Sequence, residues 1–301
     1  MGNVYPVEQR DEFEAFLREN RRLRVCAVTP GGNHGDTLIH MGLVKVMEEL
    51  GIDYTCRNLE EAYDRDRVVG AKYLMNIAAD RVGVRRGFRL LDIPAETELI
   101  LFEGGGYMND IWYGLTLLRQ ILRRHEQPMA VGPHSFWFRR PGFLELFRGE
   151  RPVTIFCRER YSLDLLRGEQ VPPNVGLGLS NDTALYLSSR DLEDLMDPKG
   201  GDYDLVCFRN DRESIVSEAT KQEIIGSLAN PLVEDISKKG SLEEFVSAVA
   251  GAGRVFTDRL HVAIAAHILG RRARLYGNRY HKNRGVYEYS LRGDPGIEFI
   301  E

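Results

Sequence analysis

Arg254-Val255-Phe256-Thr257-Asp258-Arg259-Leu260-His261 takes an apolar run through a polar turn into a second, helix-like apolar stretch. Read as strand, turn and helix, it is most of a βαβ unit. The next strand, Ala273–Tyr276, follows once Gly270 has closed the helix. The same order recurs upstream. Leu23–Thr29 runs into Pro30-Gly31-Gly32-Asn33-His34-Gly35-Asp36 and a helix from about Thr37 to Leu50, which Gly51 ends. Leu99–Phe102 runs into Glu103-Gly104-Gly105-Gly106-Tyr107-Met108-Asn109-Asp110 and a helix to about His125. Met129–Val131, Val153–Cys157, Val175–Leu179 and Asp204–Phe208 are further strands. Short apolar runs alternating with helical stretches predict an α/β fold with parallel sheets and crossover helices. Ligands of such sheets bind outside the carboxyl ends of the strands. The polar residues directly after each strand are therefore the candidates for function.

The 301 residues are 43% hydrophobic and 28% charged, with a net charge of -5. That composition is globular, and it lacks the global basic footprint of a nucleic-acid binder. No run approaches the roughly 20 apolar residues that span a bilayer. The charged segment after the first residues is unlike a secretory signal, so a cytoplasmic protein is expected. Cys26, Cys56, Cys157 and Cys207 form no C-x-x-C pair, which predicts reduced thiols rather than a metal site. Glu8 to Asn20 reads as an opening helix. Ser241–Ala250 reads as a helix with a capping box from Ser241 to Glu244. The polar stretch 186–203, with Asp197-Pro198-Lys199-Gly200-Gly201, reads as a linker. It separates an N-terminal domain, 1–190, from a C-terminal domain, 191–301, whose tail has the option of returning to the first. Residues 57–90 are basic and mixed and match no motif.

Five strand ends carry the candidate chemistry. Glycines in 31–37 let backbone N–H groups approach an anion at a helix start, with Asp36 as N-cap. Neither a dinucleotide fingerprint nor a Walker A ending is present. Three consecutive glycines, 104–106, point to close approach of backbone to a ligand or partner domain. Asn109 and Asp110 are suited to cap the helix that follows. Arg158, delivered by Val153–Cys157, is placed to grip phosphate or carboxylate. In 257–261, Asp258 caps a helix whose first turn holds Arg259 and His261. A cation at a helix N-terminus is unfavourable unless an anion joins it, which argues for an anionic ligand. His267 lies off the His261 face, so no metal pair is indicated. The run Gly277-Asn278-Arg279-Tyr280-His281-Lys282-Asn283-Arg284 offers a further polar wall.

Gly32-Asn33-x-Gly35-Asp36, Gly104-Gly105-Gly106, Arg158-Glu159, Asp182 in Asn181-Asp182-Thr183-Ala184-Leu185, the 257–261 run and Asn278-Arg279-Tyr280-His281-Lys282-Asn283 together resemble the polysaccharide pyruvyl transferase family, in its exopolysaccharide branch. The resemblance implies two Rossmann-like domains facing a cleft, as in the B-type glycosyltransferases. It implies transfer of a pyruvyl group from phosphoenolpyruvate, the donor substrate, to a hydroxyl pair of a sugar, with no cofactor and no metal. The acceptor would be a sugar or lipid-linked oligosaccharide, which adds peripheral association with the inner face of the membrane through that acceptor. On this resemblance His261 is the general acid, and Asp36 or Asp182 is a base. Arg158, Arg259, Lys282, Asn283, Gly105 and Gly106 hold phosphoenolpyruvate, and Asn33, His34 and Asn109 face the acceptor. Many members read Pro-Gln-Ser where this chain has Gly132-Pro133-His134-Ser135, so His134 inherits no role; it is either acceptor-facing or a loop histidine hydrogen-bonded to backbone. The sequence specifies neither the sugar nor the oligomeric state. A sugar-nucleotide glycosyltransferase of the same fold, or an inactive scaffold in a polysaccharide-assembly complex, are the competing readings.

Overall fold

The computed structural model describes residues 11–84, 87–112, 114–197 and 201–301. They form two compact units. The N-terminal unit comprises residues 11–32 and 46–180, and the C-terminal unit residues 33–45 and 181–301.

The N-terminal unit opens with helix α1 (Glu12–Glu19), capped by Asp11; the first residues of the expected Glu8–Asn20 helix lie outside the described residues. Strand β1 (Val25–Thr29) leads into α2 (His34–Glu49), and β2 (Tyr54–Asn58) follows. Helices α3 (Leu59–Arg65) and α4 (Arg67–Arg81) fill the stretch that matched no motif. Then come β3 (Leu99–Phe102), α5 (Gly114–Leu122), β4 (Met129–His134), β5 (Val153–Cys157), α6 (Arg160–Arg167) and β6 (Val175–Leu179). The six strands are parallel, in the order β2-β1-β3-β4-β5-β6. β1, β3 and β4 are buried along their whole length. Helices cover a parallel sheet on both faces, so its strands read as unbroken apolar runs. The strand order reverses between β1 and β3, which makes their carboxyl ends the switch point of this sheet.

The C-terminal unit has five parallel strands, β7 (Tyr203–Cys207), β8 (Pro231–Val233), β9 (Ala252–Thr257), β10 (Arg272–Tyr276) and β11 (Ile297–Ile300), in the order β11-β10-β9-β7-β8. Its helices are α7 (Glu218–Gly226), α8 (Leu242–Gly251), α9 (Leu260–Ile268) and α10 (Lys282–Val286), the last running on as a π-helical turn, Tyr287–Leu291. The switch point here lies between β7 and β9. The capping box at Ser241 and Glu244 forms as expected, and Gly51 and Gly270 close their helices at φ +65°.

Contacts group residues differently from the expected division at 190. The break falls between Ser180 and Asn181, and residues 33–45 belong with the C-terminal unit. The reason is packing. Leu38 and Ile39 of α2 join the same buried cluster as Leu185, Leu260 and Val262, and Thr183 donates a hydrogen bond to the Ile39 carbonyl. A Cβ on Gly42 would fall 1.8 Å from the Thr183 carbonyl oxygen. The C-terminal tail pairs as β11 beside β10 and stays in its own unit. The expected linker contains a 3₁₀ helix, Ser189–Leu195, whose Leu192 enters the same core; its Pro198-Lys199-Gly200 lies outside the described residues.

Candidate functional site

Three motifs far apart in sequence meet in the C-terminal unit. His261 stands in the first turn of α9, and its Nε2 lies 3.2 Å from Asp182 Oδ2. Asp182 is buried, and its other oxygen accepts the Ala184 N–H at the head of the 3₁₀ turn Thr183–Tyr186. Gly35 closes the group. A Cβ built there would fall 2.5 Å from His261 Nδ1, so only glycine allows the imidazole its place. Asp36 does not cap α2 as expected. Asn33 does, its Oδ1 accepting the Gly35 N–H at 2.9 Å, while Asp36 reaches back to the Asn33 N–H at 2.9 Å and Nδ2 at 2.8 Å. His34 turns to the Lys239 carbonyl and the Phe245 ring.

The second group is an ion network at the carboxyl ends of β7, β8, β9 and β10. Arg259 is not in the first turn of α9; it is the N-cap residue, and it is buried. Its guanidinium meets both carboxylate oxygens of Asp235 and lies 3.4 Å from Asp211. Arg209 binds Asp211 at 2.8 Å and Glu213 at 2.7 Å, and Lys282 also pairs with Glu213. Asn278 Nδ2 donates to the same Glu213 oxygen. Asp258 does not cap the helix. It accepts the Arg209 N–H and the Ser214 hydroxyl, each at 2.7 Å. Burial raises its pKa despite those bonds. Burial would raise Asp211 as well, but Arg209 overcomes it through its hydrogen bond and charge, and holds that carboxyl below its usual range. The anion that the cation at this helix start called for is thus, in the structure, the chain's own Asp235 and Asp211. Asn283 is fully buried and donates to the carbonyls of Asp258 and Tyr276, a bracing task rather than an open donor.

In the N-terminal unit the strand-end residues are bound to one another. Gly105 N–H donates to the Pro133 carbonyl and Ser135 N–H to the Gly105 carbonyl, each at 3.0 Å. A Cβ on Gly104 would sit 2.5 Å from that Pro133 oxygen. The close approach the triple glycine demands is therefore to the β4 backbone. Gly106 offers its carbonyl to Asn109 Nδ2. His134 is fully buried, its Nε2 accepting the N–H groups of Tyr107 and Met108 at 3.1 and 3.0 Å, which fixes the neutral tautomer with the proton on Nδ1. Asn109 is buried and its Oδ1 accepts the Ile111 and Trp112 N–H groups. Arg158 does not stand open at its strand end; it is buried, with Nε donating to Ser135 Oγ at 2.9 Å. Glu159 caps α6. Gly31 (φ +80°) owes its identity to Glu60, whose Cβ would lie 2.3 Å from any side chain there.

The sequence reading missed Arg209, Asp211, Glu213 and Asp235. A signal for the first three existed, since Arg209-Asn210-Asp211-Arg212-Glu213 places dense alternating charge straight after an apolar strand. Asp235 follows a three-residue, largely exposed strand that leaves no clear pattern. All four cysteines are free thiols, three of them buried. Among the described residues no helix is long and apolar enough to cross a membrane, and no cluster of three His, Cys, Asp or Glu side chains is arranged to hold a metal ion.

The model of the polysaccharide pyruvyl transferase family matches residues 33–280. Among solved structures, a functionally uncharacterised protein of Klebsiella pneumoniae is 23% identical and covers 96% of this chain and 97% of its own, with a TM-score of 0.66; the two share a fold. A UDP-GlcNAc 2-epimerase of Neisseria meningitidis, bound to UDP-GlcNAc, is 11% identical over 92% of this chain and 87% of its own, with a TM-score of 0.44. No curated protein matches the sequence.

Proposed function

Since the chain belongs to the polysaccharide pyruvyl transferase family, we propose that it moves a pyruvyl group from phosphoenolpyruvate to two hydroxyls of a sugar in a polysaccharide precursor, closing a cyclic ketal. The observation that carries the reading is the His261–Asp182 pair seated against Gly35. Asp182 holds Nε2, so Nδ1, on the Gly35 side, is the nitrogen that delivers a proton. The proton goes to the methylene carbon of phosphoenolpyruvate and leaves an oxocarbenium-like carbon at C2. One sugar hydroxyl adds there, the C–O bond to phosphate breaks, and the second hydroxyl closes the ring. One hydroxyl proton restores His261 and the other leaves with phosphate. Asp182 acts as a positioning residue, a narrower task than that of a base; Asp36, tied to Asn33, shapes the loop beneath it.

Arg259 and Lys282 supply the donor's positive partners. Their carboxylates Asp235, Asp211 and Glu213 hold them in place until the phosphate or carboxylate of the donor takes over part of the contact. Asn33 and His34 are the acceptor-side candidates. The reaction runs in the cytoplasm, at the inner face of the membrane when the acceptor is lipid-linked. Thermal unfolding tests the donor directly. At about 100 times Kd, phosphoenolpyruvate adds about 2.7 kcal/mol to the native state, a rise of several degrees in Tm, and UDP adds none. A rise with UDP and none with phosphoenolpyruvate moves the chain to the sugar-nucleotide transferases.

A further inference from the structure

Large apolar side chains stand exposed mainly in one stretch. Val68, Leu74, Met75, Val82, Val84 and Phe88 are all more than 40% exposed, with Leu74 at 68% and Val82 at 75%. The other exposed large apolar residues are dispersed between 161 and 233. Helix α4 has two apolar sides. On the inner one, Val69 and Tyr73 pack on the core of the N-terminal unit and Asn76 is buried. On the outer one, Val68, Ala71, Met75, Ala78 and Val82 recur every three or four residues, all exposed, with Leu74 beside them. A surface helix ordinarily turns polar residues outward, and an apolar patch of this kind marks an interaction surface.

Charge identifies what covers it. In a chain of net charge -5, the described residues between 67 and 89 carry Arg67, Lys72, Arg81 and Arg89 against Asp80 alone. Beyond the helix end, a groove of about 640 Å³ is lined by Val84, Leu122 and Leu146, and its charges are balanced, with Arg119 and Arg123 beside Glu145 and Asp80, which pairs with both arginines. A second copy docked through the same face would set basic side chains against basic side chains across a two-fold axis. An anionic bilayer suits both features, since apolar side chains enter the boundary between headgroups and acyl chains while arginines and lysines meet lipid phosphates.

We propose that the outer side of α4, with Val84 and Phe88 and the flanking Arg67, Lys72 and Arg81, is a docking surface for an anionic lipid bilayer. This goes beyond an acceptor that happens to be lipid-linked, because the surface belongs to the chain itself. Vesicle flotation of the full chain tests it. The chain floats with vesicles containing phosphatidylglycerol, not with pure phosphatidylcholine, and added salt weakens the binding. The double variant Leu74→Glu, Met75→Glu lowers vesicle affinity at least about tenfold and keeps its Tm and its Tm rise with phosphoenolpyruvate. Absence of flotation at low salt overturns the proposal, as does a variant that floats like the parent chain. A parent chain that sediments as a dimer, and a variant that sediments as a monomer, gives the surface to a second copy and overturns it too. A chain that floats but ignores phosphoenolpyruvate leaves the docking surface standing and removes the transfer reading.

Discussion

Two neighbours set the place of His261: Asp182 at Nε2, and Gly35, where a Cβ would fall 2.5 to 2.7 Å from Nδ1, Cβ and Cγ of the histidine. A methyl group at position 35 would press on the working nitrogen and drive the ring from its seat. Gly35→Ala is expected to lower kcat by about 10²-fold, the effect of displacing a reacting group by about 1 Å, with little change in KM for phosphoenolpyruvate. Steady-state kinetics check this, and an unchanged kcat would separate His261 from the chemistry. Sequence alone read Gly35 as part of an anion-cradling loop. Its real constraint is a ring 226 positions later in the chain, and nothing local to residues 31–37 announces that. Arg259 teaches a related lesson. The mismatch between a cation and a helix N-terminus argues for an anionic ligand, yet Asp235 and Asp211 meet Arg259 in the structure, because the physics of the dipole does not say whether the anion is a ligand or an aspartate from another strand end. His134, Asn109 and Arg158 have the residue types of a binding site. Burial, with hydrogen bonds to backbone for His134 and Asn109 and to the Ser135 hydroxyl for Arg158, is invisible at the level of residue type and gives them structural work.

At the scale of elements, β7, β8, β9 and β10 deliver their charges to one place, so the network ties four strand ends together. Asp211 is its hinge, meeting Arg209, Arg259 and Lys238. Its folded-state pKa is depressed. The stabilisation it gives is therefore present above the unfolded carboxylate pKa of about 3.9 and is lost as pH falls through that value toward the depressed one. Asp211→Asn is expected to cost about 2–3 kcal/mol at neutral pH, somewhat less than breaking a fully buried pair, and the gap from the parent chain should narrow below about pH 4. Denaturant unfolding across that range measures it; a gap that stays constant or widens in acid contradicts the assignment. Strands were the legible elements. β3 and β5 fall where their apolar runs place them, because a strand buried on both faces has no alternation to misread. β8 and β11, short and partly exposed, leave weak patterns. Helix α4 was hidden for the opposite reason: apolar residues on both sides blur the helical period.

The whole molecule is two Rossmann-like units, and the α/β class with two parallel sheets was plain from the alternation of runs. Their boundary was not, since α2 begins in one unit's core and ends in the other, and a continuous helix gives no compositional break. The two switch points carry different things. Beside the one in the N-terminal unit, the ends of β3 and β4 are joined by backbone bonds of Gly105 with Pro133 and Ser135. The one in the C-terminal unit carries the ion network, with the His261 pair at the head of the adjoining α9. His261 is therefore the residue on which the proposed transfer turns. The most direct measurement is to incubate the chain and its His261→Ala variant with phosphoenolpyruvate and a panel of galactosides, glucosides and mannosides, reading pyruvate ketal by mass spectrometry and released phosphate by assay. The parent chain should form ketal and phosphate in equal amounts. His261→Ala should lose at least about 10²-fold in turnover while phosphoenolpyruvate still raises its Tm. Undiminished transfer by the variant would contradict the account.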